Sequence, residues 1–500
     1  MKLNLKLIII GLFILLLASA LRIWNLTSWP IFADESIYIR WSQVMRAEPS
    51  LRFVPLSDGK QPLYMWATIP FLKVFSDPLL AGRVFSALAG LGTIAGIAAA
   101  SYILFKTPRQ TLIAASVAAV LPYLVFFNRL ALADSLLAMF LIWTFVFSLL
   151  SFLHHRLDLA MFAGFSLGFA WLTKSPAIFA FVLLPLNILF LPKYSVKNIL
   201  ISIFYFLVSV IIATGMYNIL RLGPEFHMIS IRNADYVFSL SEVLSHPLDP
   251  LIPHLKDSWN FYLYLATPVG VALLFWALLG EGLHHWRQRF VLSAWFLGPI
   301  FIQSAMAKQF TARYLLFTVP FAILLMSHAI EHIGQKTQKH ILTVATASLL
   351  ILLSLWTSYQ IIFNPENAPL PRIERSGYLE EWTAGYGLYD VSQQLRQIAK
   401  SGPVVVGSEG FFGTPFSALQ AYLNDVPNVR IIGVGVWIDS VNERLTSALA
   451  DNQVFLVVNS TRFHVSEPEK IGLKLISSYP KAIRPDSSRE FLLFFQVLKP

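Results

Sequence analysis

The chain has no cysteine, and Lys, Arg, Asp and Glu together supply only 13% of its 500 residues. Without thiols there is no disulfide framework and no thiolate metal site, although the absence says nothing about compartment. Soluble domains average about 25% charged residues, so a charge content this low excludes an ordinary water-soluble protein over the full length. What is abundant is apolar: 56% hydrophobic and 14% aromatic, with 40 Phe and 13 Trp. Phe suits lipid-facing helices and Trp the membrane interfaces. The net charge is +10. The basic residues fall mostly in short turns between apolar runs, so they read as topology determinants and imply no nucleic-acid partner.

The N-terminus mimics a signal peptide: Lys2 and Lys6 precede an apolar run over 7–20, and Ala18-Ser19-Ala20 resembles a cleavage site. The apolar stretch continues through Leu21, Ile23 and Trp24, which predicts an uncleaved first span over 7–24. Further runs cover 79–105, 111–127, 135–153, 159–172, 177–191, 199–220, 261–279, 290–306, 315–330 and 341–363. The expectation is a polytopic α-helical membrane protein of about eleven transmembrane helices. With a cytoplasmic N-terminus, the inner turns carry Lys106 and Arg109; His154, His155 and Arg156; Lys193 and Lys197; Arg287 and Arg289; Lys336 and Lys339. Every inner turn is then basic, as the positive-inside rule requires for a plasma (inner) membrane protein. The apolar segment 62–75 is short for a span, and crossing would reverse every later loop, so it is predicted to lie in the outer interface. The outer side receives loops 25–78 and 221–260, the turns 128–134, 173–176 and 307–313, and the C-terminal region.

That region changes character, which divides the chain into a membrane domain, 1–363, and a soluble extracytoplasmic α/β domain, 364–500. Strands are predicted over 404–406, 429–434, 454–458 and 491–497, with helices over 417–423 and 440–449. Gly407, Gly410 and Gly413 follow a strand and precede a helix, as in a phosphate-cradling turn, but ordinary turn geometry explains them.

The polar residues that stand out share the outer face. Asp34 and Glu35 follow the first span; they are either a solvated loop pair or a general base whose pKa apolar surroundings raise. Asp134 ends Asn128-Arg129-Leu130-Ala131-Leu132-Ala133-Asp134 and opens a helix, either as an N-cap or as a second functional carboxylate. Lys60 begins Lys60-Gln61-Pro62-Leu63, and Arg83 lies early in a span. Both either snorkel or meet a lipid phosphate at headgroup depth. Lys174 in Thr173-Lys174-Ser175-Pro176, and Lys308 and Arg313 around 309–312, are basic residues in outer turns, against the topological bias; a bound phosphate would account for them. The pairs His154–His155 and His284–His285 fall on the inner side and read as loop polarity, not metal ligands. His227 and His246 have no diagnostic spacing.

In this order, Asp34-Glu35, Lys60-Gln61-Pro62-Leu63, Arg83, Arg129…Asp134, Thr173-Lys174-Ser175-Pro176 and Arg313-Tyr314-Leu315-Leu316…Pro320 resemble family 39 glycosyltransferases. That family has the GT-C membrane fold and includes protein O-mannosyltransferases and lipid A aminoarabinose transferases. The resemblance covers roughly the first 330 residues. It implies a polyprenyl-phosphate-linked sugar as donor, a hydroxyl acceptor (protein, lipid or polysaccharide) and inversion at the anomeric carbon. By the same resemblance Asp34 is the catalytic base with Glu35 beside it, and Asp134 orients acceptor or sugar. Lys60, Arg83 and Lys174 hold the leaving phosphate with Lys308 and Arg313 in reserve, while Arg129 and Tyr64 touch acceptor or sugar. Gln61 stands where the family more often has a second proline, and the C-terminal α/β domain fits the aminoarabinose branch. No cofactor is expected: an activated lipid-linked sugar needs no nucleotide, and although two carboxylate loops could host a divalent metal, as in some GT-C enzymes, the basic cluster resembles the metal-free solution of the family 39 branch. Two other readings are a transporter or flippase for lipid-linked sugars, which would favour midplane charges and internal repeats, and a non-catalytic scaffold built on the C-terminal domain.

Overall fold

The computed structural model describes residues 5–280 and 285–499; Lys2 and His284 lie outside them. The chain divides into two compact units. One comprises Met1–Leu26, Ser50–Trp66 and Arg83–Pro371; the other comprises Thr27–Pro49, Ala67–Gly82 and Arg372–Pro500. Two pieces of the first long loop therefore belong with the C-terminal region, which hydropathy alone does not show.

The first unit is helical, and the protein is a multi-pass membrane protein. Among the described residues seven helices are long and apolar enough to cross a bilayer: Leu5–Ile23, Pro78–Phe105, Ala133–His154, Val196–Leu222, Trp286–Met306, Ala312–Lys336 and His340–Phe363. Taken together, Pro108–Val120 and Pro122–Asn128 are also long and apolar enough, with a bend of 52° between them. Pro122 cannot donate to the ladder, and its ring clashes with the preceding turn. Shorter apolar helices cover Leu157–Thr173, Ser175–Phe190, Thr267–Gly280 and Leu63–Val74. At 1.5 Å per residue the last reaches only about 18 Å, too little to cross hydrocarbon. The run expected over 261–279 is interrupted: Leu251–Leu265 ends before Thr267, whose φ is 68°, and a new helix starts with Pro268 at its first turn. Along the first helix the apolar side chains of Ile9, Leu12, Phe13 and Leu16 are exposed, as suits a surface that faces lipid.

The second unit is built on a five-stranded sheet of β3 (Val404–Glu409), β4 (Val429–Gly435), β5 (Gln453–Asn459), β6 (Leu473–Pro480) and β7 (Phe491–Val497), in the order β4-β3-β5-β7-β6. β3 pairs in parallel with β4 and β5, while β7 is antiparallel to both β5 and β6. All six residues of β3 are buried, as expected of a central parallel strand. Val405, Leu445, Val454, Leu456, Phe495 and Val497 share one core cluster. A two-residue strand β1 (Ile31–Phe32) pairs with β2 (Ala384–Gly385). The helix Ala33–Ala47 packs on Phe416–Tyr422, with Gln43 Nε2 donating to Ala421 O at 2.9 Å.

Candidate functional site in the membrane unit

Asp134 lies in the first turn of Ala133–His154, but it is not the N-cap. Leu132 occupies that position, and no side chain caps the helix. The Asp134 carboxylate instead meets Lys174 Nζ at 2.5 Å, with side chains 3% and 22% exposed. Lys174 follows the last residue of Leu157–Thr173, where a cation also suits the helix dipole. Its ammonium lies 4.5 Å from the Tyr314 ring centre, and the Arg313 guanidinium lies 5.3 Å from the same ring. Gln61 Nε2 donates to Ser175 Oγ at 2.8 Å. Four motifs that are far apart in sequence thus come together: 60–63, 128–134, 173–176 and 313–320. Tyr314 and Gln61 are visible in those motifs, yet their partners are not.

The corner 128–134 is held by buried arginines. Arg129 donates to the carbonyls of Leu21 (3.0 Å), Trp24 (2.7 Å) and Asn25 (2.8 Å), where the first helix runs out of intrahelical donors. The resemblance suggests an acceptor or sugar contact for Arg129; these bonds give it a structural task. Arg22, fully buried, donates to Ala118 O (3.0 Å), Ala119 O (2.8 Å) and Asn128 Oδ1 (3.1 Å). The sequence reading passes over it, although an arginine inside an apolar run is itself a signal. Asn128 Nδ2 continues the network to Ser135 Oγ at 3.0 Å. Arg83 is fully buried and donates to Leu26 O at 2.6 Å. Tyr64 is buried with its hydroxyl 2.9 Å from Ser86 Oγ.

Lys60 meets Asp58 at 2.5 Å, and Asp58 also accepts from Arg232 Nε (3.1 Å) and Nη2 (2.7 Å). The hydrogen bond and charge of Asp58 push the Arg232 guanidinium above its ordinary pKa. Lys308 is exposed and donates to Ala234 O at 2.8 Å, which ties it to Met228–Tyr236. Neither Asp58 nor Arg232 carries a recognisable motif.

Asp34 and Glu35 belong to the second unit, in the first turn of Ala33–Ala47. Glu35 is buried and accepts from Phe32 N at 2.9 Å, closing the helix start as a capping-box acid does. Asp34 is half-buried. Among the described residues no three His, Asp or Glu side chains are grouped as metal ligands. Gly410 and Gly413 have φ of 67° and 76°, the left-handed turn geometry expected of them.

Residues 59–217 match the family model for dolichyl-phosphate-mannose-protein mannosyltransferases. The crystal structure of ArnT from Cupriavidus metallidurans in the apo state is 12% identical over 98% of this chain and 97% of that one, with a TM-score of 0.60. The same protein bound to undecaprenyl phosphate is 13% identical over 98% of both chains, again with a TM-score of 0.60. No curated protein matches the sequence. The likeness covers both the helical unit and the C-terminal sheet, so the fold is the ArnT-like GT-C fold.

Proposed function

We propose that this chain is a GT-C glycosyltransferase that moves a sugar from a polyprenyl-phosphate carrier to a hydroxyl acceptor at the outer face of the plasma (inner) membrane. The observation that carries this reading is the Asp134–Lys174 pair beside Tyr314 and Arg313. It joins motifs inside and outside the matched mannosyltransferase region, in a fold shared with a protein that binds undecaprenyl phosphate.

In this reading Asp34 takes the proton of the acceptor hydroxyl. The acceptor oxygen attacks the anomeric carbon opposite the phosphate, the carbon–oxygen bond to phosphate breaks, and polyprenyl phosphate leaves with the bonding pair. The configuration inverts. Placing acceptor and donor in line removes much of the entropic barrier. Lys174, Lys60 and Arg83, with Arg313 and Lys308 in reserve, offset the charge that develops on the departing phosphate. An ammonium has three donors, so Lys174 can serve Asp134 and a phosphate oxygen together. Asp134 then acts by fixing Lys174. With cations in these roles the transfer needs no metal.

Purified protein in lipid nanodiscs, incubated with a panel of polyprenyl-phosphate sugars and an acceptor panel, is expected to release the free carrier. Asp34→Asn preserves shape and removes the base, so turnover should fall roughly 10²–10⁴-fold. Near-normal turnover in that variant would remove Asp34 from the role. Failure of the wild type to release carrier from any donor would overturn the transferase reading.

A further inference from the structure

We infer that the carboxyl ends of β3, β4 and β5 form a saccharide-binding platform, with the Trp437 ring as its stacking face. In the order β4-β3-β5, the chain leaves β3 for β4 on one side and returns to β5 on the other. Open α/β sheets bind ligands beyond the carboxyl ends of their strands, at this kind of switch. Glu409 ends β3 and Asn459 ends β5. Asn459 donates to Glu409 through its backbone N (2.6 Å) and Nδ2 (2.7 Å), and both residues are 1% exposed.

Three loops rise from this floor and are tied together. Gly410 N donates to Gly435 O at 2.6 Å, Ile438 N to Arg462 O at 2.9 Å and His464 N to Ile438 O at 2.7 Å. They carry Phe411 and Trp437, each 61% exposed, and Phe412, 44% exposed. His464 stacks behind Trp437 with ring centres 5.3 Å apart. The Arg462 guanidinium lies 4.3 Å from the Trp382 ring centre and 5.7 Å from that of Trp437.

These groups select the ligand by chemistry. A phosphate finds few donors: Gly410 N is bonded to Gly435 O, Gly413 N to Ser417 Oγ and Ser417 N to Gly413 O. Pro415 has no N–H to offer. Arg462 is already opposed by Glu409 at 3.7 Å. What the platform offers is flat aromatic area rimmed by polar groups, and its floor holds a buried acceptor without a donor, Asn459 Oδ1. A pyranose ring, apolar on its faces and hydroxylated at its edge, matches that combination. The platform therefore suits the glycan part of an acceptor. This last step rests on the transferase reading; saccharide binding itself does not.

The test uses the full-length protein in lipid nanodiscs and saturation-transfer NMR with mannotriose, chitotriose and maltotriose. At least one trisaccharide is expected to receive saturation. Trp437→Ala should weaken its binding by roughly tenfold or more, while Lys474→Ala, on the far edge strand β6, should bind as the wild type does. If Trp437→Ala does not fold, Phe411→Ala takes its place with the same expected loss. Binding of none of the three, or equal binding by wild type and the aromatic variant, overturns the proposal. So does a weaker quenching of fluorescence by brominated acyl chains in Trp437→Phe than in the wild type, which would place the ring in lipid. Carrier release by the wild type, measured alongside, reports on the transferase reading separately.

Discussion

Buried and half-buried cations lean on different partners in the two units. In the membrane unit Arg22 and Arg129 donate mainly to backbone carbonyls, and Arg289 does the same with Ala277 O (2.7 Å) and Leu278 O (3.0 Å). In the second unit carboxylates take a larger share: Arg484 meets Glu381 (3.1 Å) and Glu490 (3.2 Å), Arg375 meets Glu380 (2.8 Å), and the fully buried Lys481 lies 3.9 Å from Glu490 while donating to Glu381 O at 2.9 Å. Helix ends and bends offer carbonyls that need donors anyway, whereas each extra carboxylate in an apolar bundle carries its own desolvation cost. The lesson lies in the exceptions. Arg109–Glu331 and Arg156–Asp158 are carboxylate pairs of the membrane unit whose arginines are 39% and 61% exposed, so water shares the cost. Lys174–Asp134 and Lys60–Asp58 are more enclosed, and they are two of the lysines assigned to the donor phosphate. A carboxylate there fixes a cation in place while leaving it able to meet an anion.

The comparison breaks first at Arg22. Arg22→Met removes the donors to Ala118 O, Ala119 O and Asn128 Oδ1, and stranded buried acceptors cost about 1–3 kcal/mol each. A loss of about 4 kcal/mol is expected from these together, read as a lower unfolding midpoint in detergent. An unchanged midpoint would show that carbonyl capping is not what holds this arginine. Lys174→Met combined with Asp134→Asn, which strands no buried charge, should do the opposite, keeping the midpoint near that of the wild type while lowering carrier release roughly 100-fold. If stability falls and turnover per folded molecule does not, the pair is structural and the contrast disappears.

Much of this contrast is out of reach of the sequence. The long spans are legible because about twenty apolar residues in a row admit few alternatives. The predicted tail strands 404–406, 429–434, 454–458 and 491–497 coincide with β3, β4, β5 and β7, since buried β-branched runs between turn residues are a strong signal. Leu388–Ile398 escapes the sequence reading despite Leu388, Val391 and Leu395 at helical spacing, all buried. β6 escapes it for a better reason: most of its residues face water, so no alternation marks it. At the candidate site the charges are visible but their partners are not. Lys174 and Asp134 are 40 positions apart, and Arg232 and Asp58 are 174 apart. Only packing reveals whether a basic residue in an outer turn snorkels, caps a helix or waits beside a carboxylate.

The second unit has its own test of how carboxylates behave when buried. Burial pushes Glu409 up to about 7, and its bonds to Asn459 and the nearby Arg462 and Lys481 only partly oppose this. A carboxyl whose folded pKa lies above its unfolded value stabilises the fold in its protonated form. That contribution is complete below the unfolded pKa of about 4.3 and is lost as pH rises through the folded value of about 7. Raising the pH from about 5 to about 8 should therefore lower protection of the β3 and β5 amides by about 2 kcal/mol, after correction for intrinsic exchange rates. Glu409→Gln should flatten the slope. An equally steep slope in that variant would move the titration to another group.

The smallest effect is expected at Lys60, and its size tests whether a carboxylate partner holds a cation for a ligand or merely neutralises it. Asp58 keeps two bonds from Arg232 when Lys60 is removed, so Lys60→Ala strands no buried charge and the unfolding midpoint should not move. On the proposed function, what is lost is one of several cations that would face the donor phosphate, a contribution of about 1 kcal/mol when the others remain. The donor KM should rise roughly fivefold with kcat little changed, and the difference from wild type should shrink at high salt as screening weakens the lost attraction. A variant whose midpoint drops while its KM stays at the wild-type value would show that Lys60 serves Asp58 and Arg232, and that only Lys174 departs from the carbonyl habit of the membrane unit for the sake of a ligand.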